Sequence, residues 1–197
     1  MRKKSHISLA KYIVDSLDEQ ELVKHKKAFC LGSVLPDCRL SFFTEKHEIQ
    51  STFPKMQHDL EQLVEKTGDS QISMRAFYRN LGEIIHYIAD YFTFPHNAHY
   101  TGNLKEHCIY EKHLKKKLKE YIKSGEAEKN CEYIQNSILN LNSTEAICDF
   151  IRRTHENYLK IKNSVEEDCR IIVNLCHQVV EAVILLLRKE NIMISMA

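Results

Sequence analysis

Two pairs of metal-ligating residue types stand at helical spacing in this chain: His86 with Asp90, and His107 with Glu111. Residues four apart on a helix lie about 40° apart on one face and about 6 Å apart along its axis. Each pair therefore offers an imidazole nitrogen and a carboxylate oxygen from adjacent turns. Between them, Pro95 breaks the chain and His96 follows, giving the ordered pattern H-x3-D-x5-H-x10-H-x3-E. Zinc accepts both donor types at about 2.0–2.2 Å. Cysteine takes no part in the pattern, and nitrogen/oxygen sites serve catalysis more often than closed Cys-rich sites do. A single His-x3-Asp or His-x3-Glu pair is an ordinary hydrogen-bonded pair on a helix; it is the ordered combination around His96 that points to metal.

Helices must position these residues. Gly (5) and Pro (3) are scarce among 197 residues, and no segment alternates apolar and polar residues with period 2. The fold class expected is all-α, one compact multi-helix domain over 1–197. Apolar spacing predicts a first helix capped at Ser5 and running to Leu17. Helix or turn follows over 21–31, and a break at Pro36 leaves Asp37 just past a helix end or in a loop. Further helices are predicted over 55–67, stopped by Gly68, and over 72–93, ended by Pro95. An irregular stretch over 94–105 leads to helices over 105–124, 129–140, 143–160 (capped by Ser143 or Thr144) and 164–190. Gly82 lies one turn before His86 on the same stripe, where the absence of a side chain would let another segment come close.

Composition excludes several classes. The formal net charge is +1 with His neutral, so no global attraction to nucleic acid or acidic membranes exists, and no stable nucleic-acid complex is expected. Seven cysteines with no CxxC pair argue against a disulfide framework and a zinc ribbon, and for reduced thiols in a reducing compartment. The basic N-terminus is followed by no apolar run of signal-peptide length. The most apolar stretch, 171–187, is interrupted by Asn174, His177, Gln178 and Glu181 and reads as a buried core helix, so a cytoplasmic protein is expected.

Four stretches resemble the zinc-dependent phospholipase C family of bacteria, whose fold is shared by the fungal zinc-dependent single-strand nucleases. They are SHISLAKYIVDSL with His6, LGSVLPD with Asp37, LGEIIHYIADYFTFPHN with His86, Asp90 and His96, and HCIYEKHL with His107 and Glu111. TEKHEIQSTF, with His47, is a weaker fifth. The resemblance covers 5 to about 115 and implies an all-α fold holding two or three zinc ions. Carried over by residue, His47, His86 and Asp90 would hold one ion, with His58 the alternative to His47. His96, His107 and Glu111 would hold the second, and His6 with a bridging Asp90 would help hold a third. Asp37 would act as general base or orient water. The family's secreted enzymes also use the amine and carbonyl of an N-terminal Trp; here only Met1 to Ser5 precede His6, and Trp is absent, so the third site lacks that usual partner.

The implied activity is hydrolysis of a phosphate ester, phospholipase C-like, on a phospholipid headgroup or another phosphodiester. A nuclease or nucleotidase on the same metals, or a non-catalytic zinc-stabilised protein, are the alternatives. The run KHLKKKLKE over 112–120 fits a solvated helix face best; the alternative is a surface that gathers anionic headgroups, in transient membrane contact, or nucleic-acid phosphates. Tyr87, Tyr91, Phe92 and Phe94 fit core packing better than a substrate wall. His99, close after His96, fits a surface residue better than a group supporting the ligands or touching substrate, and His25, His113, His155 and His177 have no partner pattern and read as structural or exposed.

Overall fold

The structure, a computed structural model, describes residues 1–39, 48–68, 72–129, 140–161 and 164–196. Its described elements are helical and include no strand: α1 (Lys3–Leu17), α2 (Gln20–Lys24), α3 (Lys26–Gly32), α4 (Ile49–Gly68), α5 (Met74–Tyr91), α6 (Leu104–Lys123), α7 (Thr144–Tyr158) and α8 (Val165–Met196). Short 3₁₀ turns occupy Pro36–Cys38 and Phe94–His96. The helix expected over 129–140 falls almost wholly outside the described residues.

The helix starts follow local chemistry in several places. Ser73 caps α5 by accepting from the Ala76 N–H, and Ser143 rather than Thr144 caps α7 by accepting from the Ala146 N–H. Asn103 and Glu106 cap α6 reciprocally, each side chain accepting a backbone N–H from the other residue. Two starts differ from expectation. Ser5 is not a cap: α1 begins at Lys3, and Ser5 is buried within it. Helix α4 begins at Ile49 instead of 55 and runs through Pro54. Proline removes one helical donor there, while Phe53 and Met56 on either side of it are buried.

Helix α8 lies at the centre, in contact with α1, α4, α5, α6 and α7. Ile172, Val173, Cys176, Val179, Val180 and Val183 along it are all fully buried. The segment Val165–Lys189 is long and apolar enough by composition to cross a membrane, yet most of it is buried inside the fold. Burial of each such aliphatic side chain is worth about 1.5–3 kcal/mol, so this helix anchors the others. Among the described cysteines, Cys30, Cys38, Cys108, Cys148, Cys169 and Cys176 are all free, and the last three are buried as small core residues.

The close crossing of α3 and α5 sets the position of the face that carries His86 and Asp90. A Cβ at Gly82 would lie 2.3 Å from the Phe29 carbonyl oxygen and 3.1 Å from the Gly32 Cα; a Cβ at Gly32 would lie 1.9 Å from the Arg79 carbonyl oxygen. Only two glycines let α3 and α5 meet backbone to backbone. The chain leaving α3 is thereby laid along α5, one turn from His86.

Candidate metal centre

Helix α5 contributes the centre of the cluster. His86 and Asp90 are buried on its inner face, and His6 of α1 stacks on His86 with ring centroids 4.0 Å apart. The close α3–α5 crossing brings the Ser33 carbonyl to 2.9 Å from His86 Nδ1, which donates to it. That bond fixes the tautomer and directs Nε2 inward, toward Asp90 Oδ2 at 3.4 Å and Asp37 Oδ1 at 3.8 Å. Asp37 sits in the Pro36–Cys38 turn, which Arg39 secures by donating to Glu83 Oε2 of α5 at 2.6 Å.

Asp90 is the junction. His6 Nε2 is 3.3 Å from its Oδ1, and His96 Nδ1 is 3.7 Å from its Oδ2. His96 lies in the turn after α5, and its Nε2 stands 3.7 Å from Glu111 Oε1; His107 Nε2 stands 3.4 Å from the same oxygen. Two groups result: His6, His86 and Asp90, fully buried, and His96, His107 and Glu111, partly open to solvent. Within each group the ligand atoms lie within 4.8 Å of one another.

The α-ammonium of Met1 also enters the cluster. It donates to Asp90 Oδ1 and lies 3.4 Å from Glu111 Oε1 and 3.4 Å from His96 Nε2. Arg2, donating to the Cys108 carbonyl at 3.0 Å, lashes this end to α6. The Met1 nitrogen thus stands beside Asp90 with only four residues, Arg2 to Ser5, between Met1 and His6, the place for which the short N-terminal stretch promised no partner.

Burial alone would raise the Asp90 carboxyl, yet the Met1 ammonium, His96, His86 and His6 hold it well below the usual range. Burial likewise opposes ionisation of Glu111, and hydrogen bonds from His107 and His96 hold it low. Burial, reinforced by His86, lowers His6 to about 3, and burial with the Met1 ammonium lowers His96. His6 and His96 are therefore neutral with lone pairs to give, and three carboxylates, Asp90, Glu111 and Asp37, face a single ammonium. Such a cluster has excess negative charge and attracts cations.

The donors fit zinc. His6 Nε2 is buried without a hydrogen-bond partner, an orphan that a metal ion would satisfy. Two imidazoles with one carboxylate, twice over, form an all nitrogen/oxygen donor set.

Of the residues singled out by sequence, His6, Asp37, His86, Asp90, His96, His107 and Glu111 converge here. His47 lies outside the described residues, and it is His6 that groups with His86 and Asp90. The sequence reading missed Asn97, His155 and Asp168. Asn97 Nδ2 donates to the Tyr91 and Thr93 carbonyls at 3.1 and 3.0 Å, and His155 Nε2 donates to Asn97 Oδ1 at 2.7 Å, bracing the turn that carries His96. Only the Asn that follows His96 directly was a usable signal. Of the four aromatics expected in the core, Tyr87, Tyr91 and Phe92 are buried, and Phe94 is only half-buried.

Searches among curated proteins and among solved structures give no match. The family model described as zinc dependent phospholipase C matches residues 5–165, a span that contains every residue of the cluster except Met1, and the chain belongs to that family.

Proposed function

We propose that this protein is a zinc-dependent phosphoric-ester hydrolase of phospholipase C type. The observation that supports it best is the position of Asp90, one buried carboxylate reached by ligands of both groups. In this reading His86 and Asp90 hold one ion with His47, while His96, His107 and Glu111 hold a second. His6 and Asp90 hold a third, to which the Met1 amine adds a nitrogen once deprotonated.

Zinc bound there would supply water acidified to a pKa of about 7 and would neutralise charge on phosphoryl oxygens. The chain does the rest. The Asp37 carboxylate, largely covered and 3.8 Å from His86 Nε2, accepts the proton of the attacking water or orients it. The Ser33 carbonyl holds the His86 proton on Nδ1. The half-open group, with His107 side chain 29% exposed against 0% for His86, faces the side from which an ester can approach. Transient contact with an anionic membrane surface falls, in the same reading, on the lysine face of α6.

Replacing Asp90 with Asn tests the proposal by zinc counting and a phosphate-ester panel on zinc-loaded protein. Loss of bound zinc and a fall in hydrolysis of about 100-fold or more is expected; unchanged zinc and activity would overturn it.

A nuclease or nucleotidase reading rests on Tyr100, whose ring lies 6.2 Å from His107 and 5.5 Å from Phe94, placing an aromatic surface for a base beside the open group. Preference for single-stranded DNA over choline-headgroup diesters in the same panel would favour it. Tightly held zinc without any hydrolysis would mark a non-catalytic, zinc-stabilised protein.

A further inference from the structure

We propose that Asp168 is a positioning residue of the second ligand group, its carboxylate holding the turn that carries His96 in register with the helix that carries His107 and Glu111. The inference rests on the reading that these three residues bind an ion together.

Asp168 lies in the first turn of α8, beyond the residues matched to the family. Acidic residues in a first turn usually face solvent and complement the helix dipole, as the half-exposed Glu166 and Glu167 do. Asp168 turns inward instead and is fully buried. Its Oδ2 accepts from the Phe94 N–H at 2.8 Å and from the Tyr110 hydroxyl at 2.8 Å; its Oδ1 accepts from the Tyr158 hydroxyl at 2.8 Å. Phe94 opens the 3₁₀ turn that ends in His96. Tyr110 directly precedes Glu111 and follows His107 by three residues. One oxygen therefore bridges the two segments that supply the second group. The Phe94 and Tyr110 rings, with centroids 5.9 Å apart, pack around the bridge.

The chemistry calls for a carboxylate. Three donors, one of them a main-chain N–H, need three acceptor sites on one small side chain, and an ionised carboxylate offers about four lone-pair directions. Ligand bonds to zinc tolerate errors of about 0.2 Å. His96 and His107 approach the same Glu111 oxygen to 3.7 and 3.4 Å. Small drift between turn and helix would therefore be felt as lost affinity at this group, while the His6, His86 and Asp90 group, built on α1 and α5, would not sense it.

Two tyrosines provide a matched control. Tyr110→Phe and Tyr158→Phe each remove one 2.8 Å bond to Asp168, but only Tyr110 stands on a ligand-bearing helix. The measurement is stepwise zinc affinity by chelator competition, with thermal stability of the zinc-free protein, for wild type, Y110F, Y158F, Asp168→Asn and His107→Ala. The expected result is that Y110F and D168N weaken one ion by about 10–100-fold and leave the tighter binding unchanged. Y158F should lower stability comparably to Y110F and leave every zinc affinity unchanged. Equal weakening by Y158F, or no weakening by Y110F, would overturn the positioning role, and the Tyr pair decides it even if D168N fails to fold. If His107→Ala removes no ion, the metal assignment itself fails, whatever Asp168 does.

Discussion

At the scale of single residues, burial and charge decide which histidines are placed to hold a metal and which brace the fold. His6 and His177 are both buried and both held neutral, but His6 faces carboxylates and an ammonium, while His177 has Glu181 Oε2 at 3.8 Å and the Tyr12 ring at 6.4 Å. Burial lowers His177 to about 4 from 6.5. The folded state thus takes up its proton only near pH 4, whereas the unfolded chain does so near pH 6.5. The stability tied to the neutral imidazole is complete above pH 6.5 and is lost as pH falls toward 4, a change of about 2–3 kcal/mol at most. Denaturant melts of wild type and His177→Gln at pH 7 and pH 4.5 should show the variant losing less stability on acidification; parallel losses would refute this. The same scale shows what a sequence can disclose. Pairs four apart on one helix were legible, because the helix itself supplies their geometry. The Asp168 bonds to Phe94, Tyr110 and Tyr158 were not, since partners up to 74 residues away in the chain meet only after folding.

At the scale of elements, the α3–α5 crossing governs the cluster more than any helix propensity does. Gly82 was legible as a point of close approach, since an inner-face glycine inside a strongly amphipathic helix costs roughly 1 kcal/mol and calls for a packing reason. Gly32 was not, because what requires it is the Arg79 carbonyl on another helix. The early start of α1 was hidden for a similar reason: Met1 and Arg2 are placed by Asp90 and the Cys108 carbonyl, so no local cap announces the helix. Gly82→Ala would push its Cβ to 2.3 Å from the Phe29 oxygen, main chain that cannot rotate aside. The expected cost is about 2–3 kcal/mol, a fall in melting temperature of roughly 5–10 °C. Because the displaced segment leads through Ser33 to Asp37, zinc affinity should fall with it. A melting temperature within a degree of wild type would show that the two helices can part at little cost.

At the scale of the whole molecule, the fold separates an apolar interior, a cation-seeking centre and a cation-bearing face. The all-α class followed from composition and period, but how α1 sits against α6 could not, and that pairing builds the basic face. Lys4 of α1 joins Lys112, Lys115, Lys116, Lys119 and Lys123 of α6 around a groove of about 900 Å³. Ile109 and Leu104 of the same helix are 58% and 78% exposed. Within the described residues Lys116 and Lys117 are the lysines of this run paired to carboxylates, through Glu120 and Glu166. A chain of net charge +1 thus concentrates positive charge on the helix that also carries His107 and Glu111. Lysines mixed with exposed aliphatic side chains suit an anionic bilayer surface, where each lysine contributes about 1 kcal/mol and salt weakens the contact. Wild type should therefore sediment with phosphatidylserine-containing vesicles at low salt and not with pure phosphatidylcholine. Changing Lys112, Lys115 and Lys119 together to Glu should weaken that binding by about 100-fold or more, with zinc content and melting temperature unchanged, because these side chains line the groove and belong to neither ligand group. Equal binding by the triple variant, or wild-type binding indifferent to vesicle charge and salt, would show the lysines to be a solvated surface and leave the open ligand group to find its ester without their help.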